Sequence, residues 1–181
     1  MKALLLHGFM SDKDSFFLPN TKEYLESLGF EVFLDSYPNP NNPSFTEWVQ
    51  TFKNINQSEF DLVIAHSLGG TFALNLITQG IMTTQKLVML GSSMGPKKNS
   101  DMNSFLIPAL NLVKIMEQTP EIFVLQSYDD PWTLPVYGQV SIQSLNAVGL
   151  YYADQGHFER EHLPKHIWQL LDLQSNAQNE F

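Results

Sequence analysis

Short apolar runs alternate along the chain with stretches of helical periodicity. Lys2–Leu6, Glu31–Leu34, Leu62–Ala65, Leu87–Leu90, Ile122–Leu125 and Val148–Tyr152 read as six strands. Most are apolar on both faces, as strands covered by helices on both sides must be. The gaps hold helical segments: Phe16–Leu28, with apolar positions at Phe17, Tyr24, Leu25 and Leu28, then Phe45–Phe52, Thr71–Gln79, Leu106–Glu117, Pro135–Leu145 and Leu163–Leu173. Gly29 stands where a helix C′ residue belongs. The alternation predicts an α/β protein with a doubly wound parallel sheet and right-handed crossovers.

Between these elements the polar stretches punctuate. Tyr37–Pro43 (YPNPNNP) excludes helix and central strand, because proline lacks the N–H and fixes φ. Ser92–Asn103 reads as a polar loop after the fourth strand, and Gln174–Phe181 as a polar, frayed tail. No internal repeat or linker composition interrupts residues 1–173, which are expected to form one domain.

Composition narrows the class. The 181 residues include 43% hydrophobic and 16% charged, enough for a core and too few charges for a disordered chain. The absence of cysteine excludes disulfides, thiol nucleophiles and thiolate metal sites. Ten Lys and Arg against nineteen Asp and Glu give a net charge of −9, which leaves no basic footprint for nucleic acid or an anionic membrane. No apolar run approaches the roughly 18 residues of a membrane span. Met1–Gly8 lacks the length and small-residue cleavage site of a secretory signal, so a cytoplasmic location is expected.

The chemistry concentrates at Ala65-His66-Ser67-Leu68-Gly69-Gly70, between an apolar strand and a helical segment. This is the setting of a nucleophile elbow. There a serine occupies a strained strand-to-helix turn, and small residues two before and two after it let neighbouring backbone pass closely. Ala65 stands where glycine is usual, and Gly69 fills the second position. The following helix aims amides at the site, favouring developing negative charge. A phosphate-binding loop is excluded, since neither Gly-Lys-Ser/Thr nor Gly-x-Gly-x-x-Gly is present.

A serine nucleophile needs a base, and the base an orienting carboxylate. In chain order Ser, Asp, His, each at the carboxyl end of a strand, the candidates are Ser67, then Asp129 or Asp130, then His157 after Gly156. Asp130 is favoured because Pro131 stiffens the turn beyond it, with Asp129 bracing the loop and Asp35 and Asp154 as weaker rivals. Among the other histidines, His162 and His166 read as a solvated helix face rather than a metal pair. His66 reads as a support of the elbow. The oxyanion donors are expected to be the amides of Leu68 and of Phe9, with Gly8 allowing close approach. His7, Met10, Trp132 and Phe158 are expected to bind substrate, with Phe9 and Tyr128 in the same aromatic wall.

Taken together, Leu6-His7-Gly8-Phe9, Tyr37-Pro38-Asn39-Pro40 followed by Trp48, Ala65-His66-Ser67-Leu68-Gly69, Asp129-Asp130-Pro131 and Gly156-His157-Phe158 resemble an α/β-hydrolase. More narrowly they resemble the small serine hydrolases typified by retinoblastoma-binding protein nine and its bacterial relatives. The resemblance covers nearly the whole chain. It implies a compact fold with six parallel strands in the order 2-1-3-4-5-6, helices on both faces and little or no lid. It also implies Ser67 as nucleophile, Asp130 as acid and His157 as base. One departure is the proline that usually stands four residues after that aspartate, here Pro135, which is five after Asp130. The retinoblastoma-protein association does not carry over, since a Leu-x-Cys-x-Glu motif cannot exist without cysteine. The implied activity is cleavage of a small carboxylic ester through an acyl-enzyme, with no metal or organic cofactor. The rivals are a thioesterase or amidase on the same residues, and a non-catalytic binding protein on a hydrolase scaffold.

Overall fold

In a computed structural model, residues 1–94, 102, 104, 105 and 109–173 are described. Six strands, β1 (Lys2–Leu6), β2 (Glu31–Leu34), β3 (Glu59–His66), β4 (Thr83–Leu90), β5 (Glu121–Ser127) and β6 (Val148–Tyr152), form one sheet in the order β2-β1-β3-β4-β5-β6. Every pairing is parallel, as expected. The helices are α1 (Leu18–Ser27), α2 (Phe45–Asn54), α3 (Leu68–Gln79), α4 (Leu112–Gln118), α5 (Pro135–Leu145) and α6 (His166–Leu170).

The double-sided apolar character of the strands resolves into two cores through the two-residue period of the pleat. Leu4 and Leu6 of β1, Val63 and Ala65 of β3, Leu87 and Met89 of β4, and Ile122 and Val124 of β5 face one side, under residues of α2, α3, α4 and α5. Their alternates, Ala3 and Leu5, Leu62 and Ile64, Val88 and Leu90, and Phe123 and Leu125, face the other side, under α1 and α6. The chain leaves β1 for β2 at the sheet edge, then returns past β1 to β3. The carboxyl ends of β1 and β3 therefore border a topological switch point, where open α/β sheets place their sites.

Several boundaries differ from the sequence reading for identifiable reasons. β3 starts at Glu59 and β4 at Thr83, earlier than their apolar runs, because Glu59 pairs with Thr83 and Phe60 with Thr84 where polar side chains alternate. α1 begins after Phe16, whose φ of 56° is incompatible with a right-handed helix. α3 starts at Leu68, three residues early, so that Gly69 and Gly70 lie inside it. α4 starts at Leu112 behind Asn111, whose Oδ1 accepts the Lys114 amide at 3.0 Å. Residues 106–108 of the longer expected helix lie outside the described residues. α6 is shorter than expected, lying between Pro164 and Asp172, whose φ is 55°. Gly29 takes the C′ position with φ 86°. Much of the Ser92–Asn103 loop and all of Gln174–Phe181 lie outside the described residues. Among the described residues no helix is long and apolar enough to cross a membrane.

Gly69 is where α3 meets the end of β1. A Cβ there would stand 2.6 Å from the His7 carbonyl oxygen and 2.8 Å from that of Leu6. Backbone atoms cannot swing away as a side-chain tip can. Gly69→Ala is expected to destabilise the protein by about 1–3 kcal/mol or more, whereas Gly29→Ala, with no atom near its Cβ, meets only the backbone cost of its positive φ. Urea unfolding of the two variants checks this order.

Candidate active site

Ser67 follows β3 directly and precedes α3, with φ 52° and ψ −119°. That region is costly for a residue with a Cβ, of order 1–3 kcal/mol, and the surroundings hold it there. The Ser67 amide donates to the Leu90 carbonyl at 2.9 Å, and the Gly70 amide donates to the Ser67 carbonyl at 3.1 Å. Gly8 packs against the serine so closely that a Cβ on it would lie 2.7 Å from the Ser67 Cβ. Gly70 does the same against Ser92.

His157 lies in the turn after β6. Its Nε2 stands 2.9 Å from Ser67 Oγ and its Nδ1 2.8 Å from Asp130 Oδ2. Asp130 follows β5, is 4% exposed, and accepts the amides of Trp132 and Thr133 on Oδ1, both at 2.8 Å. With one carboxylate oxygen occupied by two amides, the other is fixed toward the imidazole. Nδ1 then donates to Asp130, which leaves Nε2 to accept from the serine hydroxyl. Asp129 serves a different purpose. Its Oδ1 accepts from Ser127 Oγ at 2.5 Å and from the Gly156 amide at 2.8 Å, bracing the turn that carries His157. Those two bonds, the hydroxyl first, hold its carboxyl below the usual range. Asp35 and Asp154 are exposed and take no part.

A cavity of about 420 Å³ opens over Ser67 and His157. Phe9, Met10, Leu68 and Trp132 line it, joined by Phe16, Gly91, Ser93, Met102, Thr133, Tyr137 and Glu159, which the sequence reading missed. Gly91 carries a signal that was available, a glycine ending an apolar strand. A Cβ there would press on the His157 ring at 3.0 Å. The others come from loops and helices that meet only in three dimensions.

Two expected substrate-binding residues do not line the cavity. His7 is completely buried. Its Nε2 accepts the Tyr37 amide at 2.8 Å, so its Nδ1 carries the proton and donates to the Gly8 carbonyl at 2.8 Å. Phe158 is 2% exposed and packs in the core under α1 and α6. A left-handed backbone, φ 58°, accompanies this placement. Tyr128 is exposed and stacks on Tyr151 instead. His166 packs against the Tyr152 ring. The YPNP segment forms the support of the β1 loop. Tyr37 and Trp48 pack around His7, Trp48 Nε1 donates to the Pro38 carbonyl at 2.9 Å, and the Met10 amide donates to Pro40 at 2.9 Å.

Solved structures share the fold. The structure superposes on that of the ydeN gene product from B. subtilis with a TM-score of 0.85, at 19% identity over 94% of this chain and 96% of that one. Mouse alpha/beta hydrolase domain-containing protein 10 gives a TM-score of 0.66 at 14% identity, covering 94% of this chain and 86% of that one. The chain has the α/β-hydrolase fold. A carboxylesterase structure from the thaumarchaeon Nitrososphaera gargenis shares the hydrolase fold with a TM-score of 0.70, at 10% identity over 94% of this chain and 88% of that one. No protein-family model and no curated protein matches the sequence.

Within this hydrolase fold, burial lowers the pKa of His7, and pushes that of His66 down to about 3 with the nearby His157 adding to the effect. Unfolding returns both to about 6.5. Below that value the unfolded chain binds protons that the folded one refuses. Stability is therefore full above about pH 6.5, begins to fall as pH drops through it, and for His66 keeps falling toward pH 3. The slope is at most about 1.4 kcal/mol per pH unit per histidine. Urea unfolding at pH 7, 6 and 5 is expected to show this decline before carboxylates titrate, and a flat profile would contradict the burial of the two rings.

Proposed function

We propose that the protein is a serine hydrolase that cleaves small carboxylic esters through an acyl-enzyme, with Ser67 as nucleophile, His157 as base and Asp130 as acid. The observation that carries this reading is the unbroken line Asp130 Oδ2, His157, Ser67 Oγ, at 2.8 and 2.9 Å, opening on a cavity large enough for an acyl group. The neighbouring structures with names such as carboxylesterase and monoacylglycerol lipase support the reaction class.

In this mechanism Ser67 Oγ attacks the ester carbonyl carbon as His157 Nε2 takes its proton. The C–O bond to the leaving alcohol then breaks, with the alcohol oxygen protonated from His157. Water, deprotonated by the same nitrogen, attacks the acyl-enzyme and returns the free serine. Asp130 holds the Nδ1–H tautomer and stabilises the imidazolium. The amides of Leu68 and Phe9 are the proposed oxyanion donors, and neither has an acceptor among the described residues. His7 prepares the second of them. The Gly8 carbonyl and the Phe9 N–H belong to one peptide unit and point in opposite directions when it is trans. Holding the carbonyl on His7 Nδ1 aims the amide away from the buried ring. The substrate is a neutral or weakly polar small molecule, in keeping with the aromatic lining.

Intact mass after fluorophosphonate treatment tests the proposal. One adduct is expected on the wild type and none on Ser67→Ala. No adduct on folded wild type would overturn it in favour of a binding protein on a hydrolase scaffold. Ser67→Ala should lower kcat on the order of 10⁶-fold and Asp130→Asn about 10⁴-fold, while Asp129→Asn, which touches only the turn, should cost far less. Steady-state kinetics on oxygen, thio and amide substrates of one acyl group would establish which leaving group is preferred.

A further inference from the structure

The proposed mechanism leaves one buried histidine of the site unused. His66 ends β3 and precedes Ser67, is 2% exposed, and makes T-shaped contacts with Phe16 and Phe17 at centroid distances of 5.6 and 5.5 Å. Its Nε2 lies 2.7 Å from the backbone carbonyl oxygen of His157. A carbonyl can only accept, so Nε2 carries the hydrogen. Its Nδ1 has no partner among the described residues, and burial keeps the ring neutral. His66 is thus a single, directed N–H donor.

What it grips is a backbone that local preference does not set. His157 stands between Gly156, φ 55°, and Phe158, φ 58°. A phenylalanine in the left-handed region persists only where surrounding contacts over-determine it. The Phe158 ring is buried on one side of this turn, Asp129 holds the Gly156 amide on the other, and His66 takes the carbonyl between them. A closed circuit results. It runs from Ser67 Oγ to His157 Nε2, through the side chain to the His157 carbonyl, across to His66 Nε2, and along one peptide link back to Ser67.

We infer that His66 is a positioning residue which, by donating Nε2–H to the carbonyl of His157, sets the separation of that base from the adjacent nucleophile. This rests on the serine-hydrolase reading above. Without the bond the turn could relax toward ordinary backbone, and a displacement of about 1 Å at the reacting atoms costs on the order of 10²-fold in rate. His66 does not line the cavity, so the loss is expected to fall on the chemical step and not on binding.

The test compares His66→Phe, which keeps a flat ring without the donor, with His66→Gln, which restores an N–H on a chain of similar reach. On a chromogenic short-chain ester, His66→Phe is expected to lower kcat about 10- to 100-fold with KM within about threefold. His66→Gln should recover at least about tenfold of that loss. A folded His66→Phe with kcat within threefold of wild type would overturn the inference, as would a Gln variant no better than Phe. Should His66→Phe not fold, nitrogen-15 NMR of the wild-type imidazoles decides. An Nε2–H tautomer unchanged between pH 5 and 8 is expected, and an Nδ1–H tautomer or a protonated ring would refute it. Failure of the hydrolase reading is distinguishable, because the wild type itself would then neither turn over ester nor take a fluorophosphonate adduct.

Discussion

The backbone at Ser67 is the constraint on which the rest of the site depends. A serine at φ 52° and ψ −119° is not held by its own preferences, so the neighbouring elements must make every alternative worse. Gly8 and Gly69 let β1, its loop and the start of α3 close on the turn at distances that no side chain would permit. The Leu90 carbonyl of β4 takes the serine amide. The strain is thereby tied to the central pairing of β1, β3 and β4, and the serine hydroxyl is raised at the switch point between sheet directions.

The pair Asp129-Asp130 shows how adjacent residues of one type are sorted by burial. Asp130 points inward to the imidazole and has its other oxygen filled by two amides. Asp129 points along the surface to Ser127 and Gly156. One carboxylate orients the ring and the other shapes the turn that brings it. Thr133 completes the join, because its hydroxyl donates to the Gly91 carbonyl at 2.9 Å, linking the Asp130 loop to the glycine beneath His157.

The strand pattern, the sheet order implied by the resemblance and the convergence of Ser67, Asp130 and His157 were all legible in the sequence. The strand pattern and the three site residues depend on local signals, namely apolar runs, small residues around a serine, and residues at strand ends, whereas the sheet order came only from the resemblance. The cavity wall was only partly legible. His7 and Phe158 flank reactive positions in the chain, yet face inward, one to Tyr37 thirty residues away and the other to the core under α1 and α6. Conversely Phe16, Tyr137 and Glu159 line the cavity because the segment before α1, α5 and the segment between β6 and α6 meet there, a fact of tertiary placement without a local pattern. Element ends were misread where propensity and packing disagree, as at Gly69-Gly70, which are poor helix formers held in α3 by close contact with β1 and Ser92.

The three histidines around Ser67 divide their labour by what faces each ring. His7 has an amide on one nitrogen and a carbonyl on the other, so both positions are spoken for and a second proton has nowhere to go. His66 has a carbonyl on one nitrogen and no hydrogen-bond partner among the described residues on the other, and burial disfavours the charge. Only His157 combines a carboxylate at Nδ1 with an Nε2 that meets a hydroxyl at an open cavity. A cation formed there is matched by Asp130, while the neutral rings beside it add no repulsion. The same residue type thus appears twice as a rigid hydrogen-bonding part and once, in the proposed mechanism, as a proton carrier, and the difference lies in the partners that the fold supplies.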